Sequence, residues 1–228
     1  MQPYYEHAGI TIYHGDCREV LPCVSPGYVL ITDPPYGLEL GTHTGAKNHG
    51  AGYLGKQGYA SYDDTDENLR QVVVPSVKVA LAAAVRGVVF CAGGKIHAYP
   101  EPSAVAGVYM PNGVGRNSWG FQNLIFMLLY GTGAHVHTGC RPTTLVSTDG
   151  TEKNGHPCPK PIRWMTFAVW MASVTTDTVV DPFMGSGTTL VAAKQLGRRA
   201  IGIEIEERYC EIAAKRLAQE VLPLGEVA

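Results

Sequence analysis

Two short stretches of the chain gather side chains that could do chemistry. The first is Asp33-Pro34-Pro35-Tyr36, which follows directly on the apolar run from Tyr28 to Thr32. Such a run reads as a buried strand, and its end delivers a carboxylate, a proline-stiffened carbonyl and a flat ring to the edge where open α/β sheets bind ligands. Neither proline has an N–H, so the backbone here offers carbonyls with no competing donor beside them. That arrangement suits an amino group with two protons to give, gripped by Asp33 and the Pro34 carbonyl while its ring stacks on Tyr36. A proline-rich turn ending in a surface tyrosine would look the same in four residues.

The second stretch, Val179 to Thr189, reads Val-Val-Asp-Pro-Phe-Met-Gly-Ser-Gly-Thr-Thr. This is a strand, a glycine turn and a helix start, with Ser186 or Thr188 placed to cap the helix. The turn would let a nucleotide-like ligand approach the backbone. It departs from the dinucleotide fingerprint, because Leu190 stands where the third glycine would be, and no Gly-Lys-Ser/Thr follows to make a phosphate loop. A second strand, Ala200 to Ile203, ends in Glu204, 23 residues after Asp181, about where an acid can hold ribose hydroxyls. The ligand implied is a nucleoside with no required pyrophosphate.

Short β-rich runs alternate with helical patterns along the chain, the mark of a mostly parallel sheet covered on both faces. Seven strands are predicted: 10–13, 28–32, 87–91, 123–129, 143–146, 179–181 and 200–203. Helices are predicted at about 68–85, 95–107, 161–174, 188–196 and 206–221, with Pro75 kinking the first or resetting its start. Residues 37–62 hold seven glycines in 26 positions, too long for an ordinary connection, and read as a mobile functional loop. Residues 131–155 read as a short polar insert, a candidate for target recognition.

The composition narrows the class. With 228 residues, 45% of them hydrophobic, the chain suits one α/β domain, and a net charge of −2 argues against nonspecific coating of nucleic acid. The charge is uneven: −5 over residues 1–76, +5 over 77–163 and −2 over 164–228, which makes the middle third the place to look for phosphate contacts. No apolar run can span a bilayer, since Val72 to Ala92 is interrupted by Pro75, Lys78 and Arg86. With no signal-peptide layout either, an intracellular protein is expected. The six cysteines form no C-x-x-C pair and read as reduced thiols. His135, His137, Cys140, His156 and Cys158 could supply a tetrahedral zinc site, but histidines in a satisfied loop or near phosphates are the preferred reading.

Taken together, Asp33-Pro34-Pro35-Tyr36, the segment from Phe183 to Thr189, the Glu204 strand and His156-Pro-Cys-Pro-Lys-Pro161 resemble the amino-methylating DNA methyltransferases. These enzymes use S-adenosylmethionine to methylate adenine N6 or cytosine N4, leaving S-adenosylhomocysteine. The catalytic motif precedes the glycine turn, which is the order of the family's β group. The resemblance implies a Rossmann-like class I methyltransferase fold in one domain, with Asp33, Pro34, Pro35 and Tyr36 catalytic. It implies cofactor contacts from Asp181, Pro182, Phe183, Gly185, Ser186, Gly187 and Thr188, with Glu204 on the ribose. Asp16 and Cys17 would lie at the adenine, and Lys160 with Pro161 would close the pocket. No metal is implied.

Within the family, Asp at the first motif position leans toward adenine and Ser toward cytosine, so adenine N6 is expected and cytosine N4 is the runner-up. Methylation of a protein or small molecule, or a noncatalytic DNA-binding subunit, are the rival readings. Double-stranded DNA is the expected partner. A homodimer is also expected, and the setting is the cytoplasm of a prokaryote or of a phage-infected cell.

Overall fold

A strand buried along its whole length needs cover on both faces, and Tyr28 to Thr32 is such a strand. It belongs to a computed structural model that describes residues 1–38, 64–135, 142–150 and 159–219. The chain opens with β1 (Tyr5–His7), β2 (Ile10–His14), α1 (Cys17–Val20) and β3 (Tyr28–Thr32). Next come α2 (Asp66–Asn68), a π-helical turn (Leu69–Val73), α3 (Val74–Ala83), β4 (Ala84–Cys91) and β5 (Ala104–Tyr109). A small pair, β6 (Gly115–Asn117) and β7 (Gly120–Gln122), leads into β8 (Leu124–Tyr130) and β9 (Thr144–Val146). The rest is α4 (Ile162–Ala172), β10 (Thr178–Asp181), α5 (Thr188–Gln195), β11 (Arg199–Glu204) and α6 (Glu207–Ala218).

Among the described residues nine strands form one sheet in the order β1-β2-β11-β10-β3-β4-β8-β5-β9. The five from β2 to β4 run parallel, β8 is antiparallel to both neighbours, and β1 is antiparallel to β2. Side chains alternate across the sheet: Val29 and Ile31 pack with Trp164, Met165 and Ala168 of α4, Leu190 of α5 and Ala213 of α6. Tyr28 and Leu30 turn the other way, toward Leu69, Val73, Val77 and Ala80. Each fully buried aliphatic side chain contributes roughly 1.5–3 kcal/mol, so the two layers hold the central strand ends rigidly.

The expected doubly covered, mostly parallel sheet is present, with corrections. It has nine strands where seven were expected, β1 and β5 being the additions, and the β6–β7 pair was also unforeseen. The helix expected over 95–107 is instead a 3-10 segment, Gly93–Ala98, followed by β5. Pro100 and Pro102 stop any helix there, and the β-branched Val105 and Val108 pair along β8, opposite Leu128 and Ile125. The helix expected over 68–85 ends at Ala83 and carries the π turn just before Pro75. Pro75 lacks the N–H that would continue the ladder, which fits the irregular turn just before it, and the next residue's hydroxyl, on Ser76, donates to the Val72 carbonyl at 2.8 Å. The expected loop at 37–62 lies, beyond Leu38, outside the described residues, as do parts of the 131–155 insert, and the last helix, expected to 221, ends at Ala218.

Candidate active site

From β3 the chain moves to β4 on one side, and from β10 it moves to β11 on the other, so the β3–β10 seam is a topological switch point. Open sheets of this kind hold ligands in the crevice beyond the carboxyl ends of such strands. Asp181, at the end of β10, is 1% exposed and ties the seam together. Its carboxylate accepts from the Thr32 hydroxyl at 2.7 Å, the Thr189 hydroxyl at 2.6 Å and the Phe183 amide at 3.1 Å. Burial outweighs these donors and pushes its pKa up to about 6.

Glu204 ends β11. Its carboxylate accepts from the amides of Gly185 and Glu206, both at 2.9 Å, and burial lifts its pKa to about 7. A carboxylate has about four lone-pair sites, so these two bonds leave acceptor capacity to spare. Between the two acids runs the glycine turn. Gly185 has φ +50° and Gly187 φ +79°, and a Cβ on Gly187 would come within 2.7 Å of the Ala213 side chain, so glycine lets the turn lie against α6. The expected cap by Ser186 or Thr188 is corrected here: Gly187 is itself the N-cap of α5 and no side chain caps it. Arg216 takes up both residues, donating to the Ser186 carbonyl at 2.6 Å and the Thr188 hydroxyl at 3.1 Å.

Across the seam, Asp33 is held differently. Its Oδ2 pairs with Lys160 Nζ at 2.6 Å, and its Oδ1 accepts from the Tyr36 hydroxyl at 2.6 Å. The same ammonium lies 5.0 Å from the centroid of the Tyr36 ring. Lys160 therefore sits over both groups of the motif, where the sequence placed it only at the cofactor pocket.

A cavity of about 280 Å³ opens along this edge. Of the predicted residues it gathers Asp16, Cys17, Asp33, Pro35, Lys160, Asp181, Pro182, Phe183, Gly185, Ser186, Thr188 and Glu204. Pro34 and Tyr36 are not on its wall, Pro161 is the N-cap position of α4, and Gly187 faces α6. Asp16 has the local role that its sequence setting also permits: it accepts from the Arg18 amide as N-cap of α1 and pairs with the Arg18 guanidinium. Its carboxylate still lines the cavity. Cys17 lies at the same wall, with burial raising its thiol pKa. The reading of the sequence missed Asn68, Met165, Glu206 and Tyr209, which also line the cavity. Glu206 and Tyr209 carried a signal, since they open the helix that follows Glu204. Asn68 carried none.

Part of the positive charge of the middle third is taken up within the fold. Arg86 pairs with Asp177, Lys95 with Asp66, Lys160 with Asp33 and Arg163 with Asp149. Among the described residues four of its basic side chains thus meet carboxylates, three of them from the acidic flanks. Among the described residues no group of three or more His, Cys, Asp or Glu could hold a metal. His135 stacks on Trp170 at 4.9 Å, and His137, Cys140, His156 and Cys158 lie outside the described residues. No helix among the described residues is long and apolar enough to cross a membrane.

Comparison with known proteins finds similarities over part of the sequence and over most of the fold. The N6/N4 DNA methylase model matches residues 114–215. The chain is 48% identical over 65 residues to the Type II methyltransferase M2.DpnII of Streptococcus pneumoniae, covering 28% of this chain and 24% of that protein. It is 43% identical over 75 residues to the Type II methyltransferase M.HinfI of Haemophilus influenzae, covering 33% and 21%. The chain thus spans about a quarter of the length of the curated relatives it matches. In fold it is similar to M1.HpyAVI, with TM-score 0.65 at 21% identity over 92% of this chain and all of that one. It is also similar to the cytosine-N4-specific PvuII DNA methyltransferase, with TM-score 0.69 at 16% identity over 97% and 90%. The motifs and these matches point the same way: residues 114–215 are similar to the N6/N4 DNA methylases, and the fold as a whole is that of solved DNA methyltransferases.

Proposed function

We propose that the protein transfers a methyl group from S-adenosylmethionine to the exocyclic amine of a base in double-stranded DNA, adenine N6 in preference to cytosine N4. The observation that carries this reading is the meeting of Asp33 with Gly185 and Glu204 around one cavity at the switch point. The adenine preference rests on Asp33 at the first position of its motif.

The residues present fit the cofactor. Glu204 retains acceptor capacity for two ribose hydroxyls, Asp16 offers a second acceptor on the same wall, and Phe183 and Met184 give that wall apolar surface. When bound, S-adenosylmethionine supplies an electrophilic methyl group. The rest falls to the chain. A base inside a duplex is out of reach and must rotate into the pocket, at a cost of about a few kcal/mol. Stacking on Tyr36 offsets roughly 1–3 kcal/mol of it. Lys160 already makes the contacts that a reacting amine would make, with its N–H groups on Asp33 and its charge over the Tyr36 ring. The target amine, which turns cationic as its lone pair takes the methyl, replaces Lys160 at both. One of its protons then leaves through Asp33 or to water, and the reaction passes through no enzyme–base bond. The buried thiols of Cys91 and Cys210, each pushed up to about 12 by desolvation, are unsuited to attack.

The test is direct. Duplex DNA incubated with the protein and methyl-labelled S-adenosylmethionine is digested to nucleosides, and the label is expected in N6-methyladenine. Label in N4-methylcytosine would correct the base, and label absent from DNA would overturn the reading. Methylation-sensitive sequencing of DNA from expressing cells then supplies the sequence context. A second copy of the chain on the same duplex, in a prokaryotic cytoplasm, belongs to this proposal. Light scattering that finds only a monomer, free and on DNA, removes the dimer.

A further inference from the structure

The β6–β7 pair has no place in the core, yet it is firmly rooted. Met110 donates to the Asn123 carbonyl at 2.7 Å and Val114 to the Gln122 carbonyl at 2.6 Å, so the hairpin continues the β5–β8 ladder outward. Its register, Gly115 opposite Gln122 and Asn117 opposite Gly120, leaves a two-residue tip, Ser118-Trp119. Trp119 is 96% exposed and Phe121 79%. Turn tips need small or polar residues for their backbone angles, and nothing in turn geometry calls for tryptophan. Two large aromatic side chains presented to water on a hydrogen-bonded hairpin mark a surface that meets a partner.

The arm leaves from the edge that carries the cavity. Thr32, just before Asp33, pairs with Val89, Cys91 two residues on pairs with Phe126, and Leu124 pairs with Tyr109. The arm thus emerges where Asp33 also stands. Residues 110–123 hold one arginine and no acid, with Asn112, Ser118, Gln122 and Asn123 as amide and hydroxyl donors. Such a segment does not repel phosphate and can donate to it. Aromatic side chains that enter the base stack kink it and unstack a step.

Resting on the reading that the substrate is duplex DNA, we propose that this hairpin is a duplex-engaging arm and that Trp119 at its tip enters the base stack beside the target nucleotide. Its partner is double-stranded nucleic acid, and its role is to help open the stack when the base rotates out.

The test uses duplexes carrying the sequence found by methylation-sensitive sequencing, one with the target base paired and one with it mismatched. Trp119→Ala is expected to lose roughly 10- to 100-fold in kcat/KM on the paired duplex, the range of one base–aromatic stack. Most of that loss returns on the mismatched duplex, where the stack is already weakened. Trp119→Phe keeps most of the activity, and the exposed position leaves melting temperature and cofactor affinity unchanged. Duplex binding also quenches tryptophan emission in the wild type and leaves it unquenched in Trp119→Phe. Equal activity of Trp119→Ala on the paired duplex overturns the proposal. So does an equal loss on both duplexes, or dissociation of a dimer by the variant in light scattering. A wild type that methylates neither duplex overturns the methyltransferase reading instead, and the quench, which needs no turnover, then decides the arm by itself.

Discussion

Two carboxylates stand on either side of the β3–β10 seam and are held in opposite ways. Asp181 is fixed by donors that belong to the framework: the Phe183 amide and two short threonine side chains on β3 and α5. Asp33 is held by the far ends of two long side chains, Lys160 and Tyr36, which can swing away without moving any element. The first side is a preorganised wall, and the second is a site kept satisfied until something displaces its occupant. A buried acid costs least when its donors never move, and a reacting acid is useful only when its donors can leave.

The sharpest way to break this division is Asp33→Ala. Methyl transfer is expected to fall by roughly 10²–10³-fold or more while cofactor affinity in calorimetry stays nearly intact. Equal loss of cofactor binding would put Asp33 on the wall. Asp181→Ala should cost about 3 kcal/mol in urea unfolding, because two hydroxyls and an amide lose their acceptor in a buried seam. A smaller loss than in Asp33→Ala would invert the comparison.

Glu204 refines it. Glu204→Gln is expected to weaken S-adenosylmethionine binding about tenfold at pH 8, where the native carboxylate is charged. The difference should shrink at pH 5.5, below its raised pKa of about 7, where the native side chain is neutral as well. Affinity unchanged at both values would remove Glu204 from the site. The smallest effect concerns stability without ligand. A carboxyl whose pKa is raised on folding favours the fold at low pH, and this contribution is lost as pH climbs from about 4.5 through about 7. The wild type should therefore lose about 2–4 °C of melting midpoint relative to Glu204→Gln between pH 5 and pH 8. A parallel pH dependence of the two proteins would mean that Glu204 is solvated.

Much of the framework was legible because its strands are unusually plain. Tyr28 to Thr32 and Val179 to Asp181 are apolar runs closed by Asp-Pro, and their adjacency at the seam follows from the order of the motifs. What escaped detection was set by tertiary contact. The strand Ala104–Tyr109 looks helical by its alanines, and only β8 alongside, with two prolines before it, makes it a strand. The three residues of β1 carry no pattern of their own and are folded back onto β2 by the turn at Ala8 and Gly9, both at positive φ. The Lys160–Asp33 pair spans most of the chain, and the motif containing Lys160 suggested a cofactor contact. The excess of positive charge in residues 77–163 suggested phosphate contacts; a count of charges does not reveal that Arg86, Lys95 and Lys160 have carboxylate partners on the flanks.

The pairing of β2 with β11, Ile10 opposite Ala200, also sets a timetable for the nascent chain. Synthesis at about 5–20 residues per second separates these strands by roughly 10–40 s. Through that interval Ile10 and Ile12, both buried at the end, have only the short β1 beside them. The seam at β10 closes as late as β11 does. A growing chain therefore carries Asp33 and Tyr36 long before it has a wall to set them against. The last strands to leave the ribosome turn an open sheet edge into a ligand cavity, and a pause or truncation before residue 178 leaves β3 without its β10 neighbour on one side.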